Sequence, residues 1–300
     1  APTIAGVVLA YRKKYLLGGI ITALFIALQI QSNHIQMSYY FMFVILFFVG
    51  AYFEDAYKKK ELPHFFKASG VLALAAVVGV CINISNLYHT YEYSKETMRG
   101  KSELKQEGAA ASQTSSGLDR DYITNWSYGI GETLTLLVPN VKGGGSGSTM
   151  SQSEVAMAKA NPMYNGIYSQ LPQYFGEQPW TAGPVYVGAF VMFLFVLGCF
   201  IVKGPLKWAL LGATIFSILL SWGKNFMGLT DFFIDYVPMY NKFRAVSSIL
   251  VIAEFTIPLL AIFALKEILS NPDMLKQEKN CRGVIAALVL TAGVALLLAV

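Results

Sequence analysis

Charge is what this sequence has least of: only 14% of its 300 residues are Asp, Glu, Lys or Arg, against roughly 25% in an ordinary globular chain. That shortage excludes an ordinary water-soluble protein. Cysteine is nearly absent as well. Cys81, Cys199 and Cys281 lie in or at the edge of separate apolar runs, which excludes a disulfide framework and any CxxC metal site. His34, His64 and His89 sit on three different connectors or helix ends, so there is no HExxH motif and no histidine cluster. The sequence implies no cofactor, and a divalent metal has no evident ligand set in it.

What is present is apolar. Such residues make up 55% of the chain and gather in runs comparable to the roughly 20 helical residues that cross a bilayer core. The runs are residues 15–30, 37–53, 68–87, 185–202, 208–222, 246–265 and 284–300, preceded by a clipped run at 4–10. They predict an all-α polytopic membrane protein with about seven transmembrane helices plus a partial one. The shortest, 208–222, carries a Trp at each end and reads as crossing, tilted or re-entrant. With no initiator Met and an apolar run at each end, the chain reads as an internal piece of a longer protein.

Orientation follows from Lys and Arg, which are retained on the cytoplasmic side of short loops. Arg12, Lys13 and Lys14, then Lys58, Lys59, Lys60 and Lys67, then Lys203 and Lys207, then Lys266, Lys276, Lys279 and Arg282 mark alternate connectors. Those connectors are assigned inside. The net charge of +5 then reflects topology, and nucleic acid is not an implied partner. The predicted organisation is transmembrane helices over 1–87, an extracytoplasmic insertion over 88–183, and further helices over 184–300 with an outer loop at 223–245.

The insertion has three parts. Residues 91–108 predict a charged helical extension with Glu92/Lys95 and Glu96/Arg99 pairs at i, i+3. Gly143 to Ser148 has the composition of a flexible linker, and it lacks the GK[ST] ending of a phosphate loop. Residues 161–184 interleave aromatic rings with prolines. Tyr174 and Trp180, with Glu177 beside them, form either a packed interfacial belt or a platform on which a sugar stacks and is oriented by hydrogen bonds.

In the second outer loop, residues 229–236 predict an amphipathic interfacial helix. Lys224, Lys242 and Arg244 flank it close to the spans, against the positive-inside bias. A cation held there has a partner: either a lipid phosphate, which Arg244 can bind bidentately, or Asp231 and Asp235. His34, in a tight outer turn, is a candidate for the same phosphate or a helix-end residue. Glu254 is an ionisable residue inside an apolar run, where it either pairs with a neighbouring helix or marks a transport path.

Five strings carry a family resemblance: Gln-Ser-Asn-His-Ile-Gln (31–36), Glu-Thr-Leu-Thr-Leu-Leu-Val-Pro-Asn (132–140), Gln-Tyr-Phe-Gly-Glu-Gln-Pro-Trp-Thr-Ala-Gly-Pro-Val-Tyr-Val-Gly (173–188), Ser-Trp-Gly-Lys-Asn (221–225) and Tyr-Asn-Lys-Phe-Arg (240–244). In this order the chain resembles the YfhO-type bacterial membrane protein family, particularly members from Bacteroidetes-like bacteria. The resemblance implies a GT-C-like fold in the bacterial inner membrane. It implies transfer of a sugar from a polyprenyl-phosphate carrier to a glycan or lipid acceptor on the outer face during cell-envelope modification. His34, Lys224, Asn225, Lys242 and Arg244 are the residues it offers for the carrier phosphate. The catalytic acid of such enzymes lies in the first outer loop, expected upstream of this sequence, so Asp119, Asp121, Glu132 and Asp231 are not nominated. A non-enzymatic transporter or lipid flippase, and a structural partner in envelope assembly, are the competing readings.

Overall fold

A computed structural model describes residues 1–97, 99, 100 and 117–299. Within them the chain is helical throughout its regular structure, and the only β pairings are two isolated bridges. Four helical segments are long and apolar enough to cross a membrane: Ile35–Lys59, Leu62–Cys81, Val246–Ser270 and Glu278–Leu298. A fifth arises if Pro205–Ser221 and Gly223–Tyr236, bent by 108° at their junction, form one broken span. The chain therefore has the architecture of a multi-pass membrane protein. Its contacts divide it into two units, residues 1–118 with 203–213, and residues 119–202 with 214–300.

The first unit contains α1 (Pro2–Tyr11), α2 (Tyr15–Gln31), α3 (Ile35–Lys59), α4 (Leu62–Cys81) and α5 (Ile84–Lys95). Three connectors turn tightly through left-handed residues, Lys13, Asn33 and Lys60. Val7, Ala10, Tyr11, Ala56, Phe65, Ala68 and Leu72 form its core, in which the Tyr11 ring stacks on Tyr52 at 4.4 Å. Small residues set the distance between α1 and α2. A Cβ on Gly18 would stand 2.6 Å from the Ala10 backbone nitrogen, and one on Gly6 would stand 2.9 Å from the Gly18 carbonyl oxygen. Such contacts let helices approach closely where lipid removes the hydrophobic drive for them to associate.

Two expected boundaries move in this unit. The run at 68–87 belongs to a helix that begins at Leu62 and breaks at Ile82 and Asn83, so it is not a single span. The Asn83 amide donates to the Ala27 carbonyl of α2 at 3.0 Å, a tertiary contact that favours a break over continued helix. Helix α5 ends at Lys95, with the Glu92–Lys95 pair of the expected extension formed at 2.7 Å. Residues 98 and 101–108 of that extension lie outside the described residues.

The second unit contains α6 (Arg120–Thr124), short 3-10 turns at Gly131–Leu136 and Met150–Gln152, α7 (Glu154–Lys159) and α8 (Asn165–Tyr168). After these come α9 (Ala189–Ile201), the second half of α10 (Pro205–Ser221), α11 (Met227–Tyr236), α12 (Val251–Ser270), α13 (Glu278–Leu288) and α14 (Val294–Ala299). Helices α9 and α12 pack closely at Gly198, where an added Cβ would meet the Leu260 carbonyl oxygen at 3.1 Å. The buried hydroxyls of Thr214 and Thr256 bond to each other at 2.7 Å. Helix α9 has 13 residues and starts four residues later than the apolar run suggests. The chain directly before it is irregular, and Gly188 holds a positive φ of 100°.

The glycine-rich stretch is a packed segment, which corrects the flexible-linker reading. A Cβ on Gly143 would lie 1.7 Å from the Gln173 carbonyl oxygen, and one on Gly145 would lie 2.5 Å from that of Ala182. The flanking amides complete the attachment: Phe175 N–H donates to the Lys142 carbonyl at 3.0 Å, and Ser146 N–H donates to that of Thr181 at 2.8 Å. Glycine is needed here for close backbone approach.

Candidate functional site

Four of the five strings fold into the second unit, where hydrogen bonds join three of them and the fourth, 240–244, reaches them through Tyr122 and Trp126. At the centre is Glu132, in the 3-10 turn Gly131–Leu136, only 2% exposed. One carboxylate oxygen accepts the Gly129 N–H at 2.6 Å and the Glu177 N–H at 3.4 Å; the other accepts the Tyr174 hydroxyl at 2.5 Å. A buried carboxylate is tolerated when donors replace its water, and here all three come from chain it must hold in place. Burial, reinforced by the bond to Glu132, pushes the Tyr174 hydroxyl well above its ordinary value. Burial likewise pushes Tyr128 up to about 12, and the Tyr128 hydroxyl bonds to Thr135 at 2.5 Å.

The loop at 173–181 then reaches the turn that follows α10. The Asn225 amide donates to Glu177 Oε2 at 2.7 Å and to the Tyr128 carbonyl at 3.0 Å. Trp222 Nε1 donates to the Thr133 hydroxyl at 2.9 Å. Gly223 makes this crossing possible: its φ is +46°, and a Cβ there would stand 2.1 Å from the Ser127 hydroxyl oxygen. That hydroxyl donates to the Thr124 carbonyl at 2.5 Å and accepts the Lys224 N–H at 2.8 Å.

The 240–244 string joins from another side. Arg244 is exposed, donates to the Tyr122 hydroxyl at 2.8 Å, and lies 5.6 Å and 5.9 Å from the Tyr122 and Trp126 ring centres. Trp126 Nε1 donates to the Trp180 carbonyl at 3.0 Å, and Ser247 reaches Gln178 Oε1 at 3.3 Å. The two rings and the Tyr122 hydroxyl hold the guanidinium in place. Burial lowers Lys242 below its ordinary value.

The expected site residues are thus unevenly placed. Asn225, Tyr174 and Glu177 belong to the network through their side chains, Trp180 through its carbonyl, and Arg244 through Trp126. Trp180 keeps 54% of its surface, whereas the Tyr174 hydroxyl is already committed to Glu132 and the Gln178 N–H. The Lys224 side chain is exposed. His34 belongs to the first unit, exposed at the N-cap of α3. Glu254 stands in the first turn of α12 and is exposed. Among the described residues it has no ion-pair partner.

Asp231 and Asp235 do not neutralise the flanking cations. Both pair with Arg120, Asp235 at 2.6 Å, a residue the sequence reading passed over. Glu132 was passed over too, although it opens one of the five strings and is an isolated acid between glycines and an apolar run. The space beside it is about 10 Å³, room for no more than about one water. Glu132 therefore organises loops and does not line an open cleft. Among the described residues no three His, Cys, Asp or Glu side chains cluster to hold a metal. Set against protein-family models, curated proteins and solved structures, the chain matches none of them.

Proposed function

We propose that the protein is a GT-C-like membrane glycosyltransferase of the YfhO type, taking a sugar from a polyprenyl-phosphate carrier and passing it to a glycan or lipid acceptor. In this reading the shorter helices also cross the bacterial inner membrane, giving seven spans, and residues 88–183 and 223–245 face the extracytoplasmic side. The observation that supports it most is the meeting of four separated strings in one network, which ends in Arg244 mounted on Tyr122 and Trp126. The carrier phosphate is the leaving group of such a transfer. Cations aimed at its developing charge lower the barrier, and Arg244, Lys242 and Lys224 take that role. Trp180, with its exposed ring, offers a stacking face for the sugar.

The test uses full-length protein in membranes with labelled polyprenyl-phosphate sugar. Arg244→Ala with Lys242→Ala is expected to lower transfer by about a hundredfold, and Arg244→Lys to lower it less, because charge is kept while the bidentate fork is lost. Unchanged transfer in the folded double variant overturns the site. Loss of lipid or solute flux in Glu254→Gln, with transfer absent from the wild type, would favour a transporter.

A further inference from the structure

A cavity lies in the first unit, and none of the site residues assigned above lines it. It measures about 470 Å³, within the roughly 300–1,000 Å³ typical of small-ligand sites. It opens where the connector between α1 and α2, the connector between α3 and α4, and the start of α10 come together.

Its wall is cationic. Arg12, Lys13, Lys59 and Lys203 face two carboxylates, Asp55 and Glu61. Lys59 is neutralised by Asp55 at 2.7 Å, and Lys13 by Glu61 at a looser 3.5 Å. Among the described residues neither Arg12 nor Lys203 has an ion-pair partner. The excess of positive charge therefore sits on these two side chains, one from each of two connectors.

The backbone adds to it. Helices α4 and α10 both begin at the cavity, and the Glu61 side chain at the N-cap of α4 makes no capping hydrogen bond. Helix N-termini carry partial positive charge and unpaired N–H groups, a combination suited to phosphate. His64 holds the wall in shape: its Nε2 donates to the Tyr11 carbonyl at 2.9 Å, and its Nδ1 bonds to the Tyr15 hydroxyl at 2.6 Å. Both ring nitrogens are satisfied, so the ring braces α4 against the α1–α2 connector.

We infer that this cavity binds a phosphate group, carried either by an anionic lipid headgroup or by a soluble phosphate compound, with Arg12 and Lys203 as its principal ligands. Arg12 supplies the bidentate fork and Lys203 a point charge. The site does not depend on the proposed transferase activity or on which side of the membrane it faces.

The test uses the full chain in nanodiscs of phosphatidylcholine, with or without phosphatidylglycerol, followed by extraction and native mass spectrometry of retained lipid. Inorganic pyrophosphate is the soluble probe. The wild type is expected to retain phosphatidylglycerol over phosphatidylcholine, and Arg12→Gln with Lys203→Gln to lose that preference by about tenfold. Arg12→Lys with Lys203→Arg keeps the charge and is expected to retain binding. Displacement by pyrophosphate identifies a soluble phosphate as the ligand source; retention despite it identifies the headgroup.

The inference is overturned if the wild type neither discriminates between the lipids nor binds pyrophosphate. It is also overturned if the double Gln variant binds like the wild type, or if Lys266→Gln with Lys279→Gln, an equal loss of charge elsewhere, weakens binding as much. Should the double Gln variant fail to fold, Lys203→Gln alone decides between these outcomes.

Discussion

The two units are held together by different means. In the first, α1 and α2 are pressed so close that glycine hydrogens are the spacers, and the core cluster around Tyr11 is built from apolar and aromatic side chains. In the second, a carboxylate, a carboxamide and several hydroxyls stitch loops that no regular helix would bring together. The first arrangement fails when a side chain is too large, whatever its polarity. The second fails when a donor or acceptor is missing, whatever its size.

That contrast can be broken experimentally. The largest effect is expected at Gly18→Leu, whose new atoms meet backbone on α1. A loss of about 3 kcal/mol or more is anticipated in detergent unfolding, and retention of wild-type stability would show that α1 and α2 can part freely. Gly223→Ala comes next, because it combines a positive φ with the Ser127 oxygen in its path. About 2 kcal/mol is expected, with the Asn225–Glu177 contact disturbed in any assay that reports it.

Glu132→Gln preserves volume but removes a charged acceptor, and should cost about 1–3 kcal/mol. A double-mutant cycle with Tyr174→Phe should show coupling, and additivity would remove Glu132 from the centre of the network. Tyr174 also gives the network a pH signature. Its folded-state value is raised above the unfolded 10.0, so its contribution is complete below pH 10 and is lost as the pH rises beyond it. The alkaline loss of stability should therefore shrink in Tyr174→Phe. The smallest effect belongs to Asp235→Asn: its partner Arg120 remains paired with Asp231 and the aspartate is 44% exposed, so at most about 1 kcal/mol is expected.

The same contrast explains what could be read from the sequence. Apolar runs announce helices by themselves, and the Glu92–Lys95 pair needed only local spacing, so both were legible. Helix limits were less so. Leu62 begins α4 because Lys60 turns left-handed and Pro63 suits a first turn, and Asn83 breaks the next stretch through a carbonyl 56 residues away. The glycines at 143–145 resemble a linker in composition and are placed by backbone that arrives some 30 residues later. Glu132 was invisible as an organiser because its Tyr174 partner lies 42 residues on. Arg244 stood out by its location near a span, whereas its aromatic seat on Tyr122 and Trp126 did not.

Ser127 has a mechanical consequence. Its hydroxyl donates to Thr124 and accepts from Lys224, with Gly223 packed against it. Moving Lys224 away from Ser127 has to break the bond between them, at a net cost of about 1 kcal/mol. Through Ser127 and the Tyr128 carbonyl, Lys224 and Asn225 are tied to the chain that leaves α6, so a change at Ser127 is felt at both ends of a 97-residue separation.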